Sequence, residues 1–170
     1  MGVEGARVDH PVLLSCRDLA EAIDRFDDVV CAVLRVGRSD LRALNLLEAG
    51  PLTATALSRG LGLTRPAVTA LVDRLVAAGF VARVAVPGDR RATSVAVRPA
   101  TGEAFTRVYG PLGERVRAAM EGLTPQDQAA MSAALDMLTG EFRDAGTQLA
   151  GGTSGPAGSD AAPTDPEPDR

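Results

Sequence analysis

Apolar residues recur at three- and four-residue steps over residues 17–36. Leu19, Ile23, Phe26, Val30 and Val33 fall on one stripe, while Glu21, Asp24, Asp27 and Asp28 crowd the opposite side. This predicts a first helix. Ser39 and Asp40 are suited to cap a second, carrying Leu41, Leu44, Leu46 and Leu47, which Gly50-Pro51 stops. Thr53 is suited to cap a third, short helix with Ala56 and Leu57, and Gly60 and Gly62 then read as a tight turn. Thr64 is suited to cap a fourth, with Pro66 in its first turn, where the missing N–H costs nothing. Val68, Leu71, Val72 and Leu75 form its inner stripe, and Gly79 ends it.

The period then changes. Phe80–Val86 and Thr93–Val97 are β-rich runs flanking the turn-rich tip Pro87-Gly88-Asp89-Arg90. A fifth helix is predicted from about Gly102 to Gly122, with Phe105, Val108, Tyr109, Leu112, Val116 and Met120, and a bend at Gly110-Pro111. Thr124-Pro125-Gln126-Asp127 starts a sixth, which carries Met131, Leu135, Leu138 and Phe142. Residues 150–170, rich in Gly, Pro, Ser and Asp, read as a disordered tail.

Two short helices joined by a glycine turn and followed by a hairpin make a winged helix-turn-helix. The fold class is therefore mainly α with a small β-hairpin wing and a helical dimerisation region. The expected organisation is an N-terminal arm and dimerisation helix at 1–37, a winged domain at 38–98, dimerisation helices at 99–149 and the tail at 150–170. A winged domain of this size leaves the apolar stripes of the first, fifth and sixth helices without partners. They must pack on each other or on a second chain.

Charge sharpens this picture. The chain of 170 residues has a net charge of −4, which argues against a nucleic-acid partner until its distribution is read. Residues 35–98 hold 10 Arg against 4 acidic residues, and the flanks on both sides are acidic. A polyanion meets this local field rather than the total charge. The outer face of the fourth helix shows Arg65, Pro66, Thr69, Ala70, Asp73 and Arg74. A helix fits the major groove of B-DNA, where Arg pairs with guanine and Thr meets a thymine methyl or a phosphate. The N-terminus of the same helix, at Thr64, suits a phosphate. Arg90 and Arg91 at the hairpin tip can enter a minor groove, with Asp89 holding one of them in position.

The stretch Leu57 to Val97, in which VTALVDRL leads through AGFVAR to PGDRRA, resembles the MarR family of bacterial regulators, and the likeness runs from about Arg38 to Phe142. The resemblance implies an obligate dimer with interlocked first, fifth and sixth helices. It also implies a pseudo-palindromic operator and release by a small ligand or by oxidation. Two departures stand out. In Val97-Arg98-Pro99-Ala100-Thr101-Gly102 the family's cap position is Arg98 and one residue is added before the glycine, so Thr101 competes as the cap. Ala70 replaces a larger, often basic residue of the family.

Other chemistry is sparse. Two Cys and one His make no disulfide framework and no conventional four-ligand zinc site, and no catalytic Ser/His/Asp or Cys/His set or phosphate-cradling glycine motif is present. No enzyme activity and no cofactor are expected. His10 reads as a mobile surface residue of the arm. Cys16, placed just before the first helix beside Arg17, is the candidate thiol for redox sensing, and Cys31 reads as a space-filling core residue. Phe105 and Tyr109 are candidate lining of an effector pocket, in the region where ligands of the resembled family often bind. No apolar run is long enough to span a bilayer, and Met1–Pro11 lacks a secretory core segment, so a cytoplasmic location is expected.

The reading is a dimeric repressor of an adjacent operon that binds a double-stranded DNA operator and is released by a small-molecule effector. Two alternatives stand beside it. One is a winged-helix dimer that binds a protein and not DNA; the other is a thiol-based regulator acting through Cys16.

Overall fold

The computed structural model describes residues 10–86 and 89–152, with the backbone alone at 86 and 89–92. Its elements are α1 (Pro11–Leu34), α2 (Arg38–Glu48), β1 (Leu52–Thr53), α3 (Ala54–Leu61), α4 (Arg65–Ala77), β2 (Val81–Val86), β3 (Asp89–Val97), α5 (Pro99–Met120) and α6 (Pro125–Gly152). The chain divides into two compact units, Met1–Glu114 and Arg115–Arg170. The first takes in the start of α5 as well as α1, so its limits differ from those of the winged segment 38–98.

The core of the first unit is aliphatic, with Phe105 its one buried aromatic. Leu41, Leu44 and Leu47 of α2, Leu57 of α3, Val68 and Leu75 of α4 and Val81 of β2 are buried, together with Val30 of α1 and Phe105 of α5. Each such side chain contributes roughly 1.5–3 kcal/mol by leaving water. The predicted inner stripe of α4 is the observed one, since Val68, Leu71, Val72 and Leu75 are all buried. The α1 stripe divides instead. Val30 is buried and Phe26 packs against the core, whereas Leu19, Ile23 and Val33 stay half or more exposed.

Local chemistry explains where the helices start and stop. α1 begins at Pro11 rather than Arg17, because the His10 ring caps it, its Nδ1 accepting from the Val12 N–H at 3.3 Å. His10 is therefore a helix cap and not a loose arm residue, and Cys16 lies inside α1 rather than before it. α1 ends in a left-handed turn at Arg35, with φ 56° and ψ 44°. The Val36 N–H returns to the Cys31 carbonyl at 3.0 Å, as in a Schellman motif, but without its usual glycine. α2 starts at Arg38. Asp40 does not precede it as a cap but reaches back from the first turn to accept the Gly37 N–H at 3.1 Å.

Thr53 caps α3 as predicted, accepting the Ala56 N–H at 3.2 Å. Gly62 ends α3 with φ 68°, but Gly60, read as part of the same turn, lies within the helix. A Cβ there would sit 2.9 Å from Leu46 Cδ1, so the glycine lets α3 lie close against α2. α4 closes at Gly79 with φ 79°, and the Phe80 N–H bonds the Leu75 carbonyl at 3.0 Å.

The wing is larger than the predicted hairpin. The sheet has three antiparallel strands in the order β1-β3-β2. Two residues before α3 supply the extra strand, with Leu52 opposite Val95 and Thr53 opposite Ser94. β3 begins at Asp89 rather than Thr93. Of the predicted tip, Pro87 and Gly88 lie outside the described residues.

α5 starts at Pro99, not Gly102, with the Arg98 carbonyl accepting the Thr101 and Gly102 N–H groups. The cap position is thus Arg98. Thr101 is buried in the first turn, where its hydroxyl donates to the Phe80 carbonyl at 2.7 Å and ties α5 to the end of α4. Helix runs through Gly110-Pro111 without interruption. In the second unit, α6 starts as predicted. The Thr124 hydroxyl accepts the Asp127 N–H at 3.1 Å, and the Asp127 carboxylate accepts from Thr124 in return. No residue of α6 is buried within the chain. α6 extends to Gly152, so residues 150–152 of the expected tail are helical, and 153–170 lie outside the described residues.

Candidate nucleic-acid interface

The α3–turn–α4 unit presents the outer face of α4 to solvent. Arg65, Pro66, Ala67, Thr69 and Ala70 are all exposed, over the buried stripe that fixes the helix to the core. Pro66 lies in the first turn, and Thr64 occupies the cap position without making a side-chain capping bond. The first-turn N–H groups of Arg65 and Ala67 therefore have no partner from that side chain, a local environment favourable to an anion. The Thr69 hydroxyl donates to the Arg65 carbonyl at 3.0 Å, which leaves its methyl as the outward group.

Two other charged residues of this face are engaged within the fold. Arg74 grips Asp40 at two points, Nη2 to Oδ1 and Nε to Oδ2, the latter at 3.2 Å. Asp40 is buried while the Arg74 side chain is 58% exposed, so the pair closes over a carboxylate at the edge of the core. Hydrogen bonding to Asp40, with the charge attraction behind it, pushes the Arg74 pKa up. The pair joins α4 to the first turn of α2. Asp73 pairs with Arg83 of β2, joining the recognition helix to the wing. Neither partner was legible as a site residue in the sequence. Charge-pair arguments along one helix reach three or four residues, and these pairs span 34 and 10.

A third cluster joins α1 to α2. Arg38 donates from Nε to Asp28 at 2.8 Å, and from its terminal nitrogens to the Asp24 carboxylate at 2.9 Å and the Asp24 carbonyl at 2.8 Å. The guanidinium hydrogen bond holds Asp28 below the usual carboxylate range. Two of the five acidic residues of α1 thus pair with this one arginine.

The wing candidates Asp89, Arg90 and Arg91 lie on β3, which places their backbone on the strand next to β2. Their side chains lie outside the described residues.

Phe105 and Tyr109 come together with Phe26 of α1. The Tyr109 ring meets Phe26 and Phe105 edge-on, at centroid distances of 5.5 and 5.6 Å. The Tyr109 hydroxyl is buried and, among the described residues, makes no hydrogen bond of good geometry. Burial, and then the negative charge of Asp27, push its pKa up; the nearby Asn45 side chain acts in the other direction. Cys31 packs against the core, and burial raises its thiol pKa, which disfavours the reactive thiolate. Cys16 is half-buried on the same helix. Fifteen residues of continuous helix separate the two sulfurs by about 22 Å along the axis, so they cannot pair within one chain.

A tri-helical unit built on α2, α3 and α4, closed by a three-stranded wing, defines a winged helix-turn-helix protein. Residues 36–92 match the family model described as MarR family. Over this segment the chain is similar to proteins of the MarR family. It is 39% identical over 90 residues to the uncharacterized HTH-type transcriptional regulator YcgE of Bacillus subtilis, a match that covers 52% of this chain and 58% of that protein. A mutant of MepR from a multidrug-resistant S. aureus clinical isolate has the same fold, with a TM-score of 0.65 at 15% identity, over 79% of this chain and 99% of that one. NadR in complex with 4-hydroxyphenylacetate gives a TM-score of 0.56 at 21% identity, over 81% and 96%. The family and this curated relative are transcriptional regulators, not enzymes. Among the described residues, no helix is long and apolar enough to cross a membrane.

Proposed function

We propose that the chain is a cytoplasmic, dimeric DNA-binding repressor of an adjacent operon that acts on a pseudo-palindromic operator. The observation that carries this reading is the exposed outer face of α4, with Arg65 and Thr69 directed away from a buried stripe, inside a segment holding 10 Arg against 4 acidic residues. Arg65 reads bases, and Thr64, Pro66 and Thr69 set the helix N-terminus against the phosphates. Arg91 enters the minor groove beside it, with Asp89 orienting it and Arg90 on a backbone phosphate. Arg74, committed to Asp40, acts by fixing the angle of α4 rather than by contacting bases. Equilibrium binding to a cognate operator and to random duplex at several salt concentrations tests these roles. Arg65→Ala costs about 1–3 kcal/mol on the operator and much less on random sequence. Arg91→Ala weakens both alike and flattens the salt dependence. Unchanged binding in both variants overturns the assignment in favour of a protein partner.

The effector site in this reading is the Phe26–Phe105–Tyr109 cluster. Support comes from the buried Tyr109 hydroxyl, which among the described residues has the Asn45 side chain near it but no hydrogen bond of good geometry, and which a phenolic or carboxylic ligand would satisfy. The likeness in fold to NadR, whose structure holds 4-hydroxyphenylacetate, points the same way.

A further inference from the structure

Between α4 and the wing the first unit has an open cavity of about 240 Å³, lined by Ala54, Thr69, Val72, Arg83, Thr93 and Val95. Its walls follow from the register. Arg83 lies opposite Val95 and Ala85 opposite Thr93, so Arg83, Val95 and Thr93 share the sheet face that turns toward α4. Val72 and Val95 close the floor, since both are buried. Thr69 and Thr93 stand on facing walls and are exposed, and Arg83 lies at the mouth with its side chain 44% exposed. The third wall is the first residue of α3, Ala54, next to the cap Thr53.

We propose that this notch seats a backbone phosphate of duplex DNA, with Arg83 as the residue that binds it. The proposal rests on the DNA-binding reading above and adds to it a site that neither the recognition face nor the wing tip contains. A helix in the major groove and a wing in the adjoining minor groove must straddle the phosphodiester strand that divides the two grooves. The space between α4 and the sheet is where that strand passes. The notch offers the Arg83 cation and the Thr93 hydroxyl there, above an apolar floor, while the Thr69 hydroxyl is taken up by the Arg65 carbonyl.

Asp73 then has a positioning role. Its carboxylate takes one N–H of the Arg83 Nη2 and leaves the remaining donors of the guanidinium for an incoming anion. One pair thereby fixes the side chain that the phosphate meets.

The test uses the full chain, a fluorescent random-sequence duplex and salt concentrations from 0.05 to about 0.3 M, a range over which phosphate contacts are separable by slope. Loss of one phosphate contact removes about 0.9 from the log–log salt slope for each bound protomer, which is roughly an eightfold loss of affinity at 0.1 M salt. Arg83→Ala is expected to show both changes, and Arg83→Lys to retain most of the slope. Asp73→Asn is expected to keep the full slope, because Arg83 remains. Thermal melts of the three variants establish that each is folded; if Arg83→Ala is not, the slope of Arg83→Gln replaces it. If Arg83→Ala and Asp73→Asn weaken binding equally with the slope unchanged, the pair only braces the helix and the proposal falls. If the unaltered protein binds duplex but Arg83→Ala matches it, the phosphate seat alone falls. If the unaltered protein binds no duplex at any of these salts, the DNA-binding reading and the seat fall together.

Discussion

Arg35 holds the left-handed conformation that ends α1, with its N–H bonded to the Ala32 carbonyl and that of Val36 to Cys31. For a side chain with a Cβ this conformation costs about 1–2 kcal/mol, and glycine escapes it at the expense of a more flexible unfolded chain. Arg35→Gly is therefore expected to stabilise the fold by about 0.5–1 kcal/mol, read as a higher midpoint in urea denaturation with an unchanged slope. A lower midpoint would mean that the Arg35 side chain makes a contact worth more than the strain. Single residues of this kind divide cleanly by whether their partners are local. Thr53 and Thr124 were legible as caps because a cap needs only the next three residues. Asp40 was legible as a helix-start residue, but not as the acceptor for Arg74, because that role depends on how α2 and α4 cross. Gly60 was read as a turn residue for the same reason, since its closest neighbour, Leu46, belongs to another helix.

Among the elements, the recognition helix is held by two unlike attachments. Its apolar stripe is continuous with the core, while Arg74 fastens its last turn to the first turn of α2 through Asp40. Arg74→Ala leaves the Asp40 carboxylate buried with one remaining hydrogen bond among the described residues, from the Gly37 N–H. This is expected to cost about 1–3 kcal/mol, below the ~3–5 kcal/mol of a fully buried broken pair because the arginine side is open to water. Arg65→Ala, on the exposed face, is expected to leave the melting temperature nearly unchanged. Calorimetry of the two variants side by side checks this, and equal melting temperatures would show that the pair contributes nothing. The elements themselves were largely visible as periodicity, α4 most clearly because its stripe is buried along its whole length. β1 was not, since two residues carry no period and become a strand only by lying against β3. Pro111 misled in the other direction. Its ring removes one hydrogen bond, but the residues on both sides are good enough helix formers for α5 to continue, and the carbonyl left unpaired, that of Arg107, belongs to an exposed residue.

At the scale of the whole molecule, much of the apolar stripe that the pattern marked on the first, fifth and sixth helices remains uncovered in a single chain. Leu19, Ile23, Val29 and Val33 of α1, Leu112 and Val116 of α5, and Leu135, Met137 and Phe142 of α6 are exposed by two-fifths or more. Surface of this extent on helices outside the winged segment supports a second copy as the partner. Sedimentation is expected to give a species near twice the chain mass of 17.5 kDa at micromolar concentration, with an apolar interface above ~2,000 Å². A stable folded monomer there would overturn it. Substituting Leu19 and Ile23 by Glu is expected to dissociate the pair, because two exposed leucine-like positions become charges at the contact.

The double duty of Thr53 sets a limit on how such a domain can vary in length. The same residue pairs with Ser94 in the sheet and caps α3 through Ala56. An insertion or deletion anywhere between the end of α2 and Thr53 would have to be absorbed before that residue. A shift of one position past it would turn the strand face over and uncap the helix at once. Loop-length changes should therefore be rare at the root of the wing around Thr53, and a library of single-residue insertions on either side of that residue, scored for folding, would map the limit directly.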